Sequence, residues 1–391
     1  MSSDTSRFIA EHVDSLKPSG IRRFFDLAST MENVISLGVG EPDFVTPWNV
    51  IEASYHSLEQ GYTAYTANAG LLELRGLIAE YLQSAYAVPY RAEDQVIVTV
   101  GASQAIDIAL RAILNPGDEV IIVEPCFVAY ASAVTLAGGV PVSVGTQAAN
   151  EFKLQPEELA NSITKKTKAI ILCNPNNPTG TMMSREELLP IADLIQTHDL
   201  LVLSDEIYAE LSYDEGYVSF SSLPNMHERT ILISGFSKSF AMTGWRLGYA
   251  AGPAALIQAM TKIHQYTIMC APTMAQYGAV EALRSGSASV EQMKKSYRQR
   301  RNFVMTAFEE MGLMTNRPGG AFYIFPSIKE TGLSSEEFAE ALLMEEKVAV
   351  VPGNVFGESG EGYIRCSYAT SMKQLTEAMK RIKRFVESRL T

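Results

Sequence analysis

Several residues in this chain sit where their chemistry is hard to explain as surface solubility. Lys238 and Arg246 lie in SGFSKSFAMTGWRLGY at 234–249, directly after the apolar run 230–234. A lysine that sheds its proton there can attack a carbonyl, and an arginine beside Gly244 and Gly248 suits a bound anion. Asp205 and Tyr208 follow the run 200–204, where a carboxylate at the end of a buried strand is costly without a partner. NPNNPTG at 174–180 combines two Asn-Pro steps with Thr-Gly, a stiff turn that presents the Asn177 amide. Phe127 follows Glu124, Pro125 and Cys126, and Gly101, Ala102, Ser103 and Gln104 open a helix whose first N–H groups are free for an anion.

Taken singly, each has an ordinary explanation: a helix cap, a core aromatic, an N-cap aspartate, a solvated lysine, a rim arginine. Taken together they match the needs of a phosphorylated pyridine aldehyde. The lysine meets the carbonyl, the carboxylate keeps the ring nitrogen protonated, the phenol and amide tune the ring, the aromatic stacks, and the anion contacts take the phosphate.

Positioning such a set requires strands that end in one crevice. The runs 95–100, 119–123, 169–173, 200–204 and 230–234 are β-branched or leucine-rich without strict alternation, as in strands covered on both faces. Helical patterns lie between them, at 103–114 and at 184–197, where Ser184 and Glu187 have the spacing of a capping box. Strand, helix, strand in repetition predicts an α/β fold with a mostly parallel central sheet flanked by helices, and ligands at the carboxyl ends of its strands. Beyond about residue 285 the pattern changes to a long helix at 290–311, short strands at 321–325, 348–351 and 363–367, and a last helix from Met372. The expected division is a large domain over 43–287 and a smaller α+β domain from 1–42 and 288–391.

The chain has 391 residues, of which 47% are hydrophobic and 19% charged, enough apolar surface for a sizeable core and too much for disorder. Its net charge of -12 opposes a general affinity for nucleic-acid phosphates. Cys126, Cys173, Cys270 and Cys366 stand far apart, so no metal site and no disulfide framework is expected. No apolar run reaches the length of a membrane span, and the N-terminal stretch lacks the apolar segment of a leader. A cytoplasmic protein is expected.

Six motifs then stand in order: GVGEPDF from Gly38, YTANAG from Tyr65, NPNNPTG, SDEIY from Ser204, GFSKSFAMTGWRLGY from Gly235, and YIRCSYA from Tyr363. Together they resemble the class I/II pyridoxal-phosphate aminotransferases of fold type I, in the branch that holds bacterial and archaeal aspartate and aromatic aminotransferases. The resemblance covers essentially the whole chain. It implies an enzyme that moves an amino group between an L-amino acid and a 2-oxo acid, with 2-oxoglutarate and glutamate as one pair, by a ping-pong mechanism with pyridoxal 5'-phosphate.

By the same resemblance, Lys238 is the Schiff-base lysine and proton shuttle, and Asp205 is the partner of the pyridine nitrogen. Tyr208 and Asn177 donate to the ring hydroxyl oxygen, with Asn177 also near substrate, and Phe127 stacks on the ring. Arg246, Ser103 and the N–H groups of Ala102 and Ser103 cradle the phosphate, with Gln104 close by and Ser237 as a further candidate. Tyr65 reaches the phosphate of a neighbouring subunit, which makes the species a homodimer with shared active sites. Arg365 takes the substrate α-carboxylate in a two-pronged contact, and the backbone of Gly40 approaches that carboxylate.

Two other classes compete. A carbon–sulfur β-lyase or another fold type I lyase would share the lysine and the aspartate. An effector-binding module fused to a DNA-binding region would need a basic extension. The donor stays open among aromatic, dicarboxylic, alanine-type and diaminopimelate-related amino acids. Selectivity is expected from the small domain and from the segment around Ile21 and Arg22.

Overall fold

The computed structural model describes residues 5–16, 29–214 and 216–390. Ile21 and Arg22 lie outside the described residues. In chain order the strands are β1 (Ile35–Ser36), β2 (Val96–Thr99), β3 (Glu119–Glu124), β4 (Val140–Gly145), β5 (Thr167–Cys173), β6 (Leu201–Asp205), β7 (Thr230–Gly235), β8 (Gly248–Ala251), β9 (Tyr323–Ile324), β10 (Val348–Ala349), β11 (Val351–Pro352) and β12 (Ile364–Ser367). Seven of them form the central sheet, in the order β2-β8-β7-β6-β5-β3-β4.

The five runs expected as strands are all there, as β2, β3, β5, β6 and β7. Their continuous apolar character follows from burial on both faces: every residue of β2 and of β7 is buried. From β7 through β4 the neighbours run parallel, and the register sets Asp205 opposite Cys173 on one side and Ile233 on the other. The carboxyl ends of β5, β6 and β7 therefore open at one level.

Two strands of the central sheet went beyond the expectation. β4, with mostly part-exposed residues, is the sheet's outer strand and carries a weaker apolar signal. β8 reads GYAA, with no β-branched residue, and lies antiparallel to both β2 and β7. Small residues suit that place because it lies against helix Gly101–Ile113, where a Cβ on Gly248 would stand 2.6 Å from the Ala102 nitrogen.

The remaining strands form two small sheets: β11-β12-β9, antiparallel, and the parallel pair β1-β10. The run expected as one strand at 348–351 is split at Val350, its halves serving different sheets. Helices Ser287–Glu310, Ser335–Glu346 and Met372–Glu387 cover them. In the last helix, Leu375, Ala378, Met379, Ile382, Phe385 and Val386 are buried at helical spacing. Their core includes Phe308, Phe322, Phe338 and Phe385, and it extends to Ile207, Tyr208 and Leu211, which follow β6. The small sheets are thus packed onto the very turn that bears Tyr208.

Candidate active site

The carboxyl ends of β5, β6 and β7 face a solvent-open cleft of about 410 Å³. Lys238 reaches it from the turn after β7. Its side chain is half-buried, and Nζ donates to the Gly40 carbonyl at 2.6 Å. Burial pushes the lysine down to about 8; Arg365 and Arg246 act in the same direction, against Glu41 and Asp205. An amine so placed is available as a base and nucleophile near neutral pH.

Asp205 is the last residue of β6 and is buried at the cleft wall. Oδ2 accepts from the Tyr130 hydroxyl at 2.6 Å and Oδ1 from the Ile207 N–H at 3.3 Å. Burial raises its proton affinity, only partly offset by these donors and by Lys238. A carboxylate in that state gains from a cationic partner such as a protonated ring nitrogen. Tyr208 lies one turn on, sharing a 2.9 Å hydrogen bond with the Tyr323 hydroxyl, and burial holds its phenol well above the ordinary range.

The NPNNPTG turn is fixed from several sides. Met183 N–H donates to Asn174 Oδ1 at 2.9 Å, Asn176 Nδ2 donates to the Pro125 carbonyl at 2.9 Å, and Gly319 N–H donates to the Gly180 carbonyl at 2.8 Å. Gly180 has φ +68°, and a Cβ there would meet Pro318 at 2.6 Å, so the turn needs glycine at that point. Asn177 is thereby held buried, its Oδ1 accepting from Arg365 Nη1 at 2.9 Å.

Arg365 comes from β12, in the small sheet. Nη2 donates to the Gly38 carbonyl at 2.7 Å, and the guanidinium lies 4.5 Å from the Tyr323 ring centre and 4.9 Å from that of Phe356. Its Nε is buried without an acceptor, so this arginine has hydrogen-bonding capacity left for a ligand. Gly40 lies against Tyr323, whose hydroxyl would be 2.6 Å from an added Cβ.

At the other end of the cleft, Arg246 faces the first turn of helix Gly101–Ile113, and a Cβ on Gly101 would stand 2.8 Å from its Nη2. Ala102, Ser103 and Ser237 line the same end, and Phe127 lines the wall. A guanidinium beside uncommitted helix-terminal N–H groups makes an anion site.

Gln104 is placed differently from the expectation. Its Oε1 accepts from the Val100 N–H at 2.7 Å and its Nε2 lies 3.1 Å from His264 Nδ1, so the side chain ties the helix start to the neighbouring helix instead of facing the cleft. Tyr65 is also outside this cleft, with 78% of its surface exposed. Tyr130, Tyr323 and Glu41 line the site without having been singled out from sequence. Tyr130 stands three residues after Phe127, a one-turn spacing that was the available signal.

A family model described as "Aminotransferase class I and II" matches residues 32–382. A protein of Bacillus subtilis (strain 168) named "Putative aminotransferase YugH" is 62% identical over 379 residues, 97% of this chain and 98% of that protein. An aspartate aminotransferase of Pyrococcus abyssi (strain GE5 / Orsay) is 49% identical, over 98% of this chain and all of its own length (100%). Among solved structures, the aromatic aminotransferase from Pyrococcus horikoshii OT3 superimposes with a TM-score of 0.90 at 47% identity, over 94% of this chain and 99% of that one.

Proposed function

The chain belongs to the class I and II aminotransferases, enzymes that use pyridoxal phosphate to move an amino group from an amino acid to a 2-oxo acid, and on that premise we propose which residues do the work. The lyase alternative is set aside, since these relatives are named aminotransferases.

The site fits the cofactor on three counts: Arg246 against the open helix turn for a phosphate, the buried Asp205 for a ring cation, and a lysine of lowered proton affinity between them. When bound, the cofactor supplies an electron-withdrawing ring that absorbs the electrons left when the substrate α-proton departs. Lys238 would be its covalent anchor, and its Nζ would hold and return the substrate α-proton. Asp205 keeps the positive charge on the ring nitrogen in place, itself held by the Tyr130 hydroxyl. Tyr208 and Asn177 orient the ring edge through their polar atoms, and Phe127 supplies an apolar face. Arg246, Ser103, Ser237 and the N–H groups of Ala102 and Ser103 take the phosphate. Arg365 orients the substrate through its α-carboxylate next to Gly40. The observation that carries this reading is Lys238 itself: a half-buried lysine in the turn after β7, pushed down to about 8 by its surroundings, in the same cleft as Asp205 and both arginines.

The division into a large unit over 43–287 and a small one from 1–42 and 288–391 belongs to the same proposal, with Arg365 brought to the site by the small unit. So does a homodimer. The Tyr65 loop is pinned to the segment 269–276 through Asn68 Nδ2 to the Met269 carbonyl at 2.8 Å and Thr273 Oγ1 to the Ala64 carbonyl at 2.9 Å. Around these segments the large apolar side chains of Trp48, Tyr55, Tyr62, Tyr266 and Met269 are exposed. A second copy would cover them and receive Tyr65 at its phosphate. Free cysteines accord with a cytoplasmic setting in amino-acid metabolism. The relatives' names point to aspartate and aromatic amino acids as the first donors to try, with 2-oxoglutarate as acceptor. Borohydride reduction followed by peptide mapping tests the assignment: the cofactor must be found on Lys238, and a label on another lysine overturns it.

A further inference from the structure

The chain passes between the small sheets and the central one by two separate routes. One is the passage 37–47, which leaves β1 and enters helix Trp48–Glu59. The other is helix Ser287–Glu310, with buried residues from Val290 to Phe308. Asp43 on the first and Arg300 on the second are joined. Arg300 Nη1 donates to Asp43 Oδ1 at 2.7 Å, and the Tyr297 hydroxyl donates to the same oxygen at 3.3 Å. The Arg300 guanidinium lies 5.4 Å from the centre of the Phe44 ring and 5.3 Å from that of Tyr297, and these two rings meet edge to face. The side chains are 10% and 26% exposed for Arg300 and Asp43, which separates this pair from the freely solvated ion pairs that contribute little.

The passage so held has no helix or strand between β1 and Trp48, yet it supplies two carbonyls to the cleft. Gly38 takes Arg365 Nη2 and Gly40 takes Lys238 Nζ. Its other anchors run the same way: Ser367 N–H donates to the Leu37 carbonyl at 2.6 Å, Thr243 Oγ1 to Glu41 Oε2 at 3.0 Å, and Thr46 Oγ1 to the Ala241 carbonyl at 2.7 Å. A carbonyl orients a cation only while its own peptide is fixed. Between Glu41 and Thr46, the Asp43–Arg300 pair is the charged tie to the second route.

We propose that Asp43 and Arg300 are positioning residues: their pair welds the two inter-sheet routes together and so fixes the Gly38 and Gly40 carbonyls that aim Arg365 and Lys238. The functional half of this rests on the roles proposed above for Lys238 and Arg365. The structural half does not.

Hydrogen exchange read by mass spectrometry on the holoenzyme, together with steady-state kinetics, tests it. Asp43→Asn keeps the shape and an acceptor but removes the charge. The expected result is exchange in peptides covering 37–46 faster by about tenfold and a kcat/KM loss of about tenfold, the factor that corresponds to 1.4 kcal/mol, with KM rising for carboxylate substrates. The thermal midpoint should scarcely move. Arg300→Lys, which keeps the charge within reach, should retain most of both properties, while Arg300→Gln should repeat the Asp43→Asn result and serves if that variant does not fold. Unchanged exchange in 37–46 overturns the weld. Faster exchange with wild-type kinetics overturns the positioning role while leaving the weld. If Arg365→Lys is also without effect, it is the site assignment that has failed, and the exchange result still judges the weld by itself.

Discussion

Replacing Arg365 by lysine keeps the charge and removes the fork. In the structure Nη1 and Nη2 are fixed by Asn177 and Gly38, the plane lies against Tyr323 and Phe356, and Nε is left over. One ammonium nitrogen cannot serve the Asn177 and Gly38 acceptors and also span both oxygens of a substrate carboxylate. At least one charge-assisted hydrogen bond is lost, worth about 1.5–3 kcal/mol, which corresponds to a fall of about 10- to 150-fold in kcat/KM. Because the contact is to a group that does not react, most of the loss should lie in KM. Initial rates with amino-acid donors and 2-oxoglutarate give the first measurement, and half-reactions with amines that lack a carboxylate give the control. Equal losses with both kinds of amine would refute the carboxylate role, as would unchanged rates with both.

Lys238→Ala should retain weak cofactor binding through the phosphate and ring contacts and lose turnover by orders of magnitude, measured by single-turnover absorbance; substantial turnover would remove Lys238 from the proton path. Asp205→Asn should fold normally, as judged by circular dichroism, yet lose most of kcat, because an amide does not favour a ring cation; near wild-type kcat contradicts this. Sedimentation at micromolar concentration should show a dimer that cofactor stabilises and Tyr65→Ala leaves with weakened cofactor retention; a fully active monomer counts against the shared site. Glu206 is buried beside Asp205, and burial pushes its carboxyl up to about 7, above its value in an unfolded chain. The folded state therefore binds this proton more tightly, so the contribution is fully present below about pH 4.5 and is lost as pH rises through about 7. Glu206→Gln should flatten that part of the urea stability profile by about 1–3 kcal/mol between pH 5 and pH 8, and an unchanged slope would place the titration elsewhere.

The strands that could be read from sequence were those whose burial on both faces writes itself as unbroken Val, Ile and Leu. β8 escaped because packing against the Gly101 helix selects small residues there, and smallness does not spell strand. The split at Val350 escaped because one apolar run does not say which sheet each half will join. Within the cleft, residues that follow strands announced themselves by position: Asp205, Tyr208, Lys238 and Asn177 could be listed from the ends of runs. Tyr130 and Tyr323 could not, since what marks them is a hydroxyl partner far away in the chain, Asp205 for one and Tyr208 for the other. Gln104 was misleading for a related reason. A polar side chain in a first helical turn has the same sequence appearance whether it faces an anion or accepts from the Val100 N–H.

The placement of β8 also bears on the order in which the molecule can be assembled. Among the described residues β2 pairs in the central sheet with β8 alone, and β8 lies far along the chain, with Thr99 paired to Gly248. While the polypeptide emerges from the ribosome, β2 must wait for the segment that carries Gly248 before it can pair. Closing so long a loop is entropically slow, so this edge joins after the parallel strands β3, β5 and β6 have been synthesised. The anion cradle proposed here would draw on both sides of that seam, Arg246 on one and the Gly101 helix on the other. A nascent chain cut short before Arg246 would keep β3, β5, β6 and β7 and lack the guanidinium that faces the Gly101 helix.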